Sequence, residues 1–223
     1  MRRTTTKMKA YPDMLSIGQS VFQQKFIGEG CPGLTFEEEK TLFATWAILS
    51  SPLILSFQIT NDTEVERLWP VIANERALSI NEQWAGEAGR LLKQASTTFV
   101  APKNLGKDCK PGATSADDEA VMNFKPPQVF PMWAVWSKRL SDPPNGLAVL
   151  AINVANTTQA VSVSYDELVA GGAAGGNAGP TLVGTDVWSG AVAARVSSGG
   201  AWEEHALPPH SSKFLVFAPT KYV

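Results

Sequence analysis

The sequence is poor in charge and in cysteine, and each shortage excludes a class of function. Only 18% of the 223 residues are charged and the formal net charge is −2, so there is no electrostatic case for a nucleic-acid partner or an anionic membrane. No apolar run approaches the ~20 residues that a membrane-spanning helix needs. Two cysteines are too few for a disulfide framework. The composition therefore indicates a globular chain of one large or two modest domains.

Residues for metal or nucleophilic chemistry are also scarce. The cysteines Cys31 and Cys109 form no Cys-x-x-Cys pair, and the two histidines, His205 and His210, stand near the C-terminus. Neither Gly-x-Ser-x-Gly nor His-Glu-x-x-His occurs. We therefore expect no metal site and no cofactor, and we interpret both histidines as structural. The bonding state of Cys31 and Cys109 stays open: they could be bonded to each other, remain free thiols, or pair with cysteines elsewhere.

The first ten residues are basic but contain no apolar core, so we do not interpret them as a secretory signal. The triplets that begin at Asn61 and Asn156 are sequons, which permit N-glycosylation in a secretory compartment. Such triplets also arise by chance, and both interpretations stay open.

Helical and strand-like patterns alternate between Tyr11 and Gln83. Thr35 and Glu38 have the spacing of a capping box. Apolar residues then recur at helical spacing, namely Leu42, Phe43, Trp46, Ala47 and Leu49. Pro52 is predicted to end this helix, and the short apolar run at residues 53–55 is typical of a buried parallel strand. The pattern predicts a βα repeat.

From Arg90 onward, short β-rich runs alternate with clusters of Gly, Pro, Asn and Asp. Such a succession is typical of an antiparallel β-sandwich. The predicted strands lie within residues 97–100, 129–136, 147–153, 160–165, 184–188 and 213–218. Residues 103–127 are predicted to form a polar surface insertion, and residues 170–179 a flexible Gly/Ala-rich linker.

Four ordered motifs give the chain a specific resemblance. They are Pro12-Asp13-Met14-Leu15-x-Ile17-Gly18, Leu34-Thr35-x-x-Glu38, Trp46-Ala47-Ile48-x-x-Ser51-Pro52-Leu53 and Ile80-Asn81. In this order they resemble family 27 glycoside hydrolases, the α-galactosidases or melibiases. Residues 133–140, 150–153, 186–190 and 207–215 resemble the small C-terminal β-sandwich of the same family.

The resemblance implies an α/β part followed by an all-β part. Residues 1–89 would be the last two βα units of a (β/α)8 TIM barrel, and residues 90–223 would be the C-terminal antiparallel β-sandwich. Because a whole barrel takes ~250 residues, most of it has no counterpart here. Apolar side chains such as Phe43, Trp46, Ile48, Leu68 and Trp69 would then lack covering surface. We therefore expect the N-terminal part to be loosely held.

The resemblance also implies a reaction, the retaining hydrolysis of terminal α-galactosides in an oligosaccharide or glycoconjugate. That mechanism takes two carboxyl groups ~5–5.5 Å apart. In the family both are aspartates on earlier barrel strands, and neither has a counterpart here. We therefore expect no catalytic residue in this chain and no hydrolysis by the chain alone. The family further implies a secreted, lysosomal or vacuolar location. Whether the protein forms a homodimer stays open.

Asp13 and Met14 are the residues that the resemblance places nearest to the chemistry. In the family the matching residues line the galactose pocket, in agreement with the rule that barrel sites lie at the C-terminal ends of strands. The simpler alternative is an aspartate that holds a turn after Pro12. We expect Asp13 and Met14 to bind substrate. Phe57 and Gln58 depart from the small and acidic residues that the family has at the top of its eighth strand.

A second hypothesis is a non-catalytic chain whose sandwich serves as a carbohydrate-binding or accessory module. The tryptophans at positions 133, 136, 188 and 202 would suit a sugar-stacking platform. Tryptophan is also ordinary core filling, and three of these four stand inside strand patterns. We expect core positions for them.

Overall fold

The computed structural model describes residues 15–18, 34–100, 129–173 and 181–222. Within these residues, three helices come first and antiparallel sheets follow. The helices are α1 Phe36–Ile48, α2 Asp62–Ile72 and α3 Glu75–Glu82, and a fourth, α4 Tyr165–Gly171, lies among the strands. The strands are β1 Arg90–Gln94, β2 Thr98–Val100, β3 Val129–Pro131, β4 Trp133–Leu140, β5 Gly146–Asn153, β6 Gln159–Ser164, β7 Thr181–Asp186, β8 Val192–Ser197, β9 Ala201–Leu207 and β10 Ser212–Pro219.

Local sequence explains where the helices begin. The Thr35 side chain accepts a hydrogen bond from the Glu38 N–H, and the Glu38 carboxylate accepts one from the Thr35 N–H at 2.7 Å, so the predicted capping box is confirmed. Asn61 and Asn74 cap α2 and α3 with their side-chain oxygens. None of the helices in the described ranges is long and apolar enough to cross a membrane.

The chain leaves α1 earlier than predicted. The helix ends at Ile48, and Ser50 already reverses the chain with a φ of 53°, so the prediction that Pro52 ends it is wrong. Residues 53–55 form no buried strand. They contribute one parallel bridge, from Leu55 to Leu15, and the Ile54 side chain is 58% exposed. A buried parallel strand needs neighbours and a cover on both faces, and a barrel is not evident among the described residues.

Eight of the strands in the described residues form the two layers of a sandwich, and β2 pairs with β3 in a separate two-stranded sheet. Six strands pair in the order β1-β4-β5-β10-β7-β8, while β6 pairs with β9. Apolar side chains from one face of the large sheet meet those of the small sheet in one cluster, which includes Val135, Leu147, Val149, Val161, Val163, Trp202, Leu215 and Phe217. The predicted antiparallel β-sandwich is therefore present.

Three strands and two helices, α3 and α4, were not predicted from the sequence. Strands β1, β8 and β9 each have several exposed residues, so their apolar pattern is weak. Helix α4 occupies the start of the predicted linker, because Ser164 and Glu167 form a capping box. The predicted insertion at residues 103–127 lies outside the described residues.

The other face of the large sheet packs against the helices. Phe43 and Ile48 of α1 and Leu68 of α2 are at most 1% exposed and belong to one cluster with Leu150 and Phe214 of the sheet. The expectation that these side chains would lack a covering surface is therefore wrong, because the sandwich covers Phe43 and Ile48, and Leu68 lies against Gly18. Trp69 does lack a cover, at 60% exposed.

Candidate functional site

The two predicted site residues, Asp13 and Met14, lie outside the described residues, as do Cys31 and Cys109. The description resumes at residues 15–18, which we call the anchor segment. The Leu15 N–H donates to the Ile54 carbonyl at 3.1 Å, and the Ser56 hydroxyl donates to the Leu15 carbonyl at 2.7 Å. Leu15 and Ile17 are fully buried. The chain is thus fixed immediately after the predicted pocket residues.

A buried carboxylate holds the far end of the anchor segment. Glu39 is 2% exposed and accepts from the Gly18 N–H at 2.7 Å. It also accepts two hydrogen bonds from the Arg67 guanidinium, at 2.5 and 3.0 Å. A buried carboxylate is tolerated when it is paired and hydrogen-bonded in this way. Glu39 therefore ties α1, α2 and the anchor segment into one unit.

Arg67 and Gly18 complete this unit. Hydrogen bonds to Glu39, and then to Glu64, raise the pKa of Arg67 above its usual range, so the guanidinium stays charged. Gly18 has a φ of 67°, and a Cβ at this position would meet Leu68 at 2.7 Å and Phe57 at 2.9 Å. Only glycine fits there. This unit was not predicted from the sequence, where its one signal is Arg67 within the helical pattern of α2.

A buried lysine joins the sandwich to the helices. Lys138 is 1% exposed, and its ammonium donates to the carbonyls of Ile80 and Asn81 at the end of α3. The negative end of the helix dipole favours a cation at this position. Burial lowers the pKa of Lys138 to about 8. Strand alternation gave a signal for it, because Lys138 shares a face with Trp136 and Leu140.

Asn81 in the last turn of α3 and Gln83, which follows the helix, add further contacts between the helices and the sandwich. The Asn81 amide donates to the carbonyls of Trp46 and Ser51, at 3.2 and 2.9 Å. The Gln83 side-chain oxygen accepts from the N–H of Asp142 at 2.9 Å, while its amide donates to the Asp142 carbonyl at 2.8 Å. Two neighbouring side chains therefore fix the end of α1 and the β4–β5 turn.

The four sandwich tryptophans are packed in the two apolar clusters, which confirms their interpretation as core residues. Trp202 is 4% exposed and its ring centroid lies 6.0 Å from that of Phe217. Trp188 lies between Phe43 and Phe214, with ring centroids 6.5 and 6.2 Å away. The rings of Trp188 and Trp202 are thus packed against aromatic neighbours.

The histidines lie on the sandwich surface. The His205 side chain is 81% exposed, 3.5 Å from the Glu203 carboxylate. His210 occupies the β9–β10 turn with a φ of 54°, and its Nε2 is 2.6 Å from the side-chain oxygen of Asn156. Within the described ranges, no group of three or more His, Cys, Asp or Glu residues is arranged to hold a metal ion.

A cleft of about 350 Å³ opens between α3 and the helix-facing side of the large sheet. We call it the α3 cleft. Apolar residues of the sheet, including Val187, Val216 and Ala218, line it together with polar residues from α3, the β4–β5 turn and the C-terminus, including Glu75, Arg76, Asp142 and Tyr222. No residue of the anchor segment lines it. The described residues therefore contain two distinct features, the anchor segment and this cleft.

Two packed antiparallel sheets, with helices on the outer face of the larger one, define the class of the described residues as a β-sandwich domain joined to a helical segment. Residues 132–217 match the family model described as the alpha galactosidase C-terminal beta sandwich domain. The resemblance to the C-terminal part of family 27 α-galactosidases is thereby confirmed.

Individual relatives agree with this family. Alpha-galactosidase mel1 of Schizosaccharomyces pombe is 41% identical over 56 residues, which are 25% of this chain and 12% of that protein. α-Galactosidase I from Mortierella vinacea has a TM-score of 0.57 and 17% identity over 93% of this chain and 39% of its own. The α-galactosidase from Saccharomyces cerevisiae with raffinose has a TM-score of 0.59 and 14% identity over 86% of this chain and 45% of its own. The chain spans less than half of each relative, and the structural likenesses show the fold.

Proposed function

We propose that this chain is the C-terminal part of an α-galactosidase, a glycoside hydrolase that removes terminal α-galactosyl groups with retention of configuration. The family match over residues 132–217 carries the proposal. Residues 1–89 would supply the last two βα units of a (β/α)8 barrel, and residues 90–223 the sandwich domain. The parallel bridge between Leu15 and Leu55 supports this division, because adjacent strands of such a barrel are parallel.

In this proposal Asp13 and Met14 bind the galactosyl group at the mouth of the barrel. The buried Glu39 and its partner Arg67 support them indirectly, since they hold the anchor segment that follows. The chain itself supplies no catalytic residue. Retaining hydrolysis takes a nucleophile and an acid/base, and earlier barrel strands would have to provide both. The chain alone is then inactive because no nucleophile is present.

The test compares the chain with a chimera. The purified 223-residue chain and a fusion carrying the upstream barrel of the Schizosaccharomyces pombe relative are each given p-nitrophenyl α-galactoside. We expect galactose release with retained configuration from the fusion and none above background from the chain. The fusion with Asp13→Asn serves as the matched variant and should lose most of its kcat/KM. Hydrolysis by the chain alone would refute the proposal, as would a folded fusion without activity.

The natural substrate would be an α-galactoside oligosaccharide or glycoconjugate. The Saccharomyces cerevisiae structure with raffinose supports this class. A secreted, lysosomal or vacuolar location and a homodimeric assembly would follow the family. Asn156 is exposed, so a glycan on its sequon, detected by mass spectrometry after expression in a secretory host, would support this location.

The alternative function is a carbohydrate-binding accessory module. The α3 cleft favours it, because it is an open, partly polar cavity that does not depend on residues outside the described chain. Saccharide binding by the isolated chain, together with a folded chimera that does not hydrolyse the α-galactoside, would support this alternative.

A further inference from the structure

We propose that the α3 cleft is a binding site for a short neutral saccharide, separate from the galactose pocket expected around Asp13. The choice of a galactoside as the first ligand to test rests on the proposed function. The existence of the site rests on the cleft itself.

The cleft is shaped before any ligand enters. Asn74 caps α3 and its amide also donates to the Trp188 carbonyl at 3.3 Å, so one wall is tied to the sheet. Gln83 fixes the opposite wall through the backbone of Ser141 and Asp142, each at 2.9 Å. A preformed site loses little conformational entropy on binding. A cleft of about 350 Å³ lies at the small end of ligand pockets, which suits one or two sugar rings.

The lining offers the two kinds of contact that a sugar makes. Val216 and Pro143, which are both partly exposed, supply an apolar surface, and Tyr222, which is 38% exposed, adds an aromatic ring. The C–H face of a pyranose packs against such surfaces, while its hydroxyls need donors and acceptors. Glu75, Arg76 and Asp142 provide both.

The charges at the cleft favour a neutral ligand. Among the described residues, the side chains of Glu75, Arg76 and Asp142 form no hydrogen bond or ion pair with the protein. Arg76 lies against Gly190, where any Cβ would collide with its guanidinium. An anion would meet the two carboxylates, and a cation would meet the guanidinium. Hydroxyl groups donate to carboxylates and accept from guanidinium, so a polyol satisfies all three side chains.

An apolar segment of polypeptide is the competing occupant. It would cover Pro143 and Val216, but it would also bury Glu75, Arg76 and Asp142, which are exposed, without partners. Burying unpaired charges costs several kcal/mol each. The polar lining therefore favours the saccharide.

The experiment is an NMR titration of the 223-residue chain, ¹⁵N-labelled, with raffinose, methyl α-galactoside and sucrose. We expect saturable shifts at the amides of Ser79, Thr185 and Val216. Arg76→Ala and Tyr222→Ala should each weaken binding by about tenfold or more, equivalent to ~1.4 kcal/mol. Arg195→Ala and Trp69→Ala are matched controls, because both side chains are exposed and neither lines the cleft. The controls should bind as the parent chain does.

Any of the following outcomes would refute the proposed saccharide site. Absence of saturable shifts, shifts confined to residues 15–18, or full affinity in both cleft variants would do so. Saturable shifts with an apolar peptide but not with sugars would assign the cleft to a polypeptide. Asp13→Asn separates this proposal from the proposed function, because the variant removes the expected galactose contact and leaves the cleft intact. If the chimera is inactive but the titration still shows saturable NMR shifts at the cleft, only the proposed function is refuted.

Discussion

Lys138 of the sandwich donates a hydrogen bond to the carbonyl of Asn81, 3.3 Å away, at the end of the helix that precedes the sandwich. It donates to the neighbouring Ile80 carbonyl as well. The buried ammonium group of Lys138 thus caps the C-terminal end of α3 from the sandwich side. This contact makes the two parts of the chain dependent on each other.

The first prediction concerns a substitution that removes the Lys138 ammonium group. Lys138→Met keeps most of the side-chain length but leaves two carbonyls without their donor. Orphaned buried acceptors cost about 1–3 kcal/mol. We expect the free energy of unfolding, measured with urea, to fall by about this amount. Lys221→Met is the control, since this residue is exposed, and it should change little.

The second prediction concerns pH. Burial lowers the pKa of Lys138 from its ordinary 10.5 to about 8. Between these values the unfolded chain binds a proton that the folded chain does not, so folding stability rises with pH across this window. Lys138→Met lacks this dependence. The stability difference, parent minus variant, should therefore grow in favour of the parent from pH 8 to pH 10. A difference that is flat over this range would contradict the lowered pKa.

The third prediction tests the anchor. Glu39→Gln keeps the shape of the side chain but leaves Arg67 without its buried charge partner. Breaking a buried pair costs roughly 3–5 kcal/mol, and we expect the lower end because the Arg67 side chain is 34% exposed. The matched control is Glu37→Gln, which breaks the more exposed pair with Lys40. That change should cost less than about 1 kcal/mol. Equal losses in the two variants would show that Glu39 has no special role.

These contacts show what the sequence could and could not predict. Local signals gave the capping box at Thr35 and the positions of most strands, because both depend on nearby residues. The pairing of Glu39 with Arg67 joins residues 28 positions apart, and Lys138 lies 57 positions from Asn81. No local pattern specifies such partners. For the same reason, the burial of Phe43 by the sandwich was missed, since strand and helix propensities do not reveal which faces meet.

The fourth prediction concerns the junction of the two parts. The Gly89 N–H donates to the Ile48 carbonyl at 2.9 Å, and a Cβ on Gly89 would overlap that carbonyl group. Gly89→Ala must push the chain away from the end of α1. Overpacking of this kind costs about 1–3 kcal/mol. Glu87→Ala nearby should stay within about 0.5 kcal/mol, because its contact with Arg139 is a long, exposed pair at 3.8 Å. Thermal unfolding of both variants tests this prediction, and equal losses of stability in the two would contradict it.

The last prediction is that α1 and α3 unfold together with the sandwich. Phe43 and Ile48 are buried against Leu150 and Phe214 of the large sheet, so separating the helices would expose these four side chains. Fully burying each such side chain contributes about 1.5–3 kcal/mol, which is a large share of the ~5–15 kcal/mol that keeps a domain folded.

Hydrogen exchange measures this coupling directly. Amides of α1 and of β5 should show similar protection in a dilute sample, whereas Ile54 should exchange quickly because residues 53–55 form only one parallel bridge. Phe214→Ala should lower the protection of α1, since it removes the ring against which Trp188 and the helix pack. Fast exchange throughout α1 in the parent chain would instead mean that the sandwich folds alone. The contacts of Lys138, Asn81 and Gln83 would then be too weak to hold the helices on it.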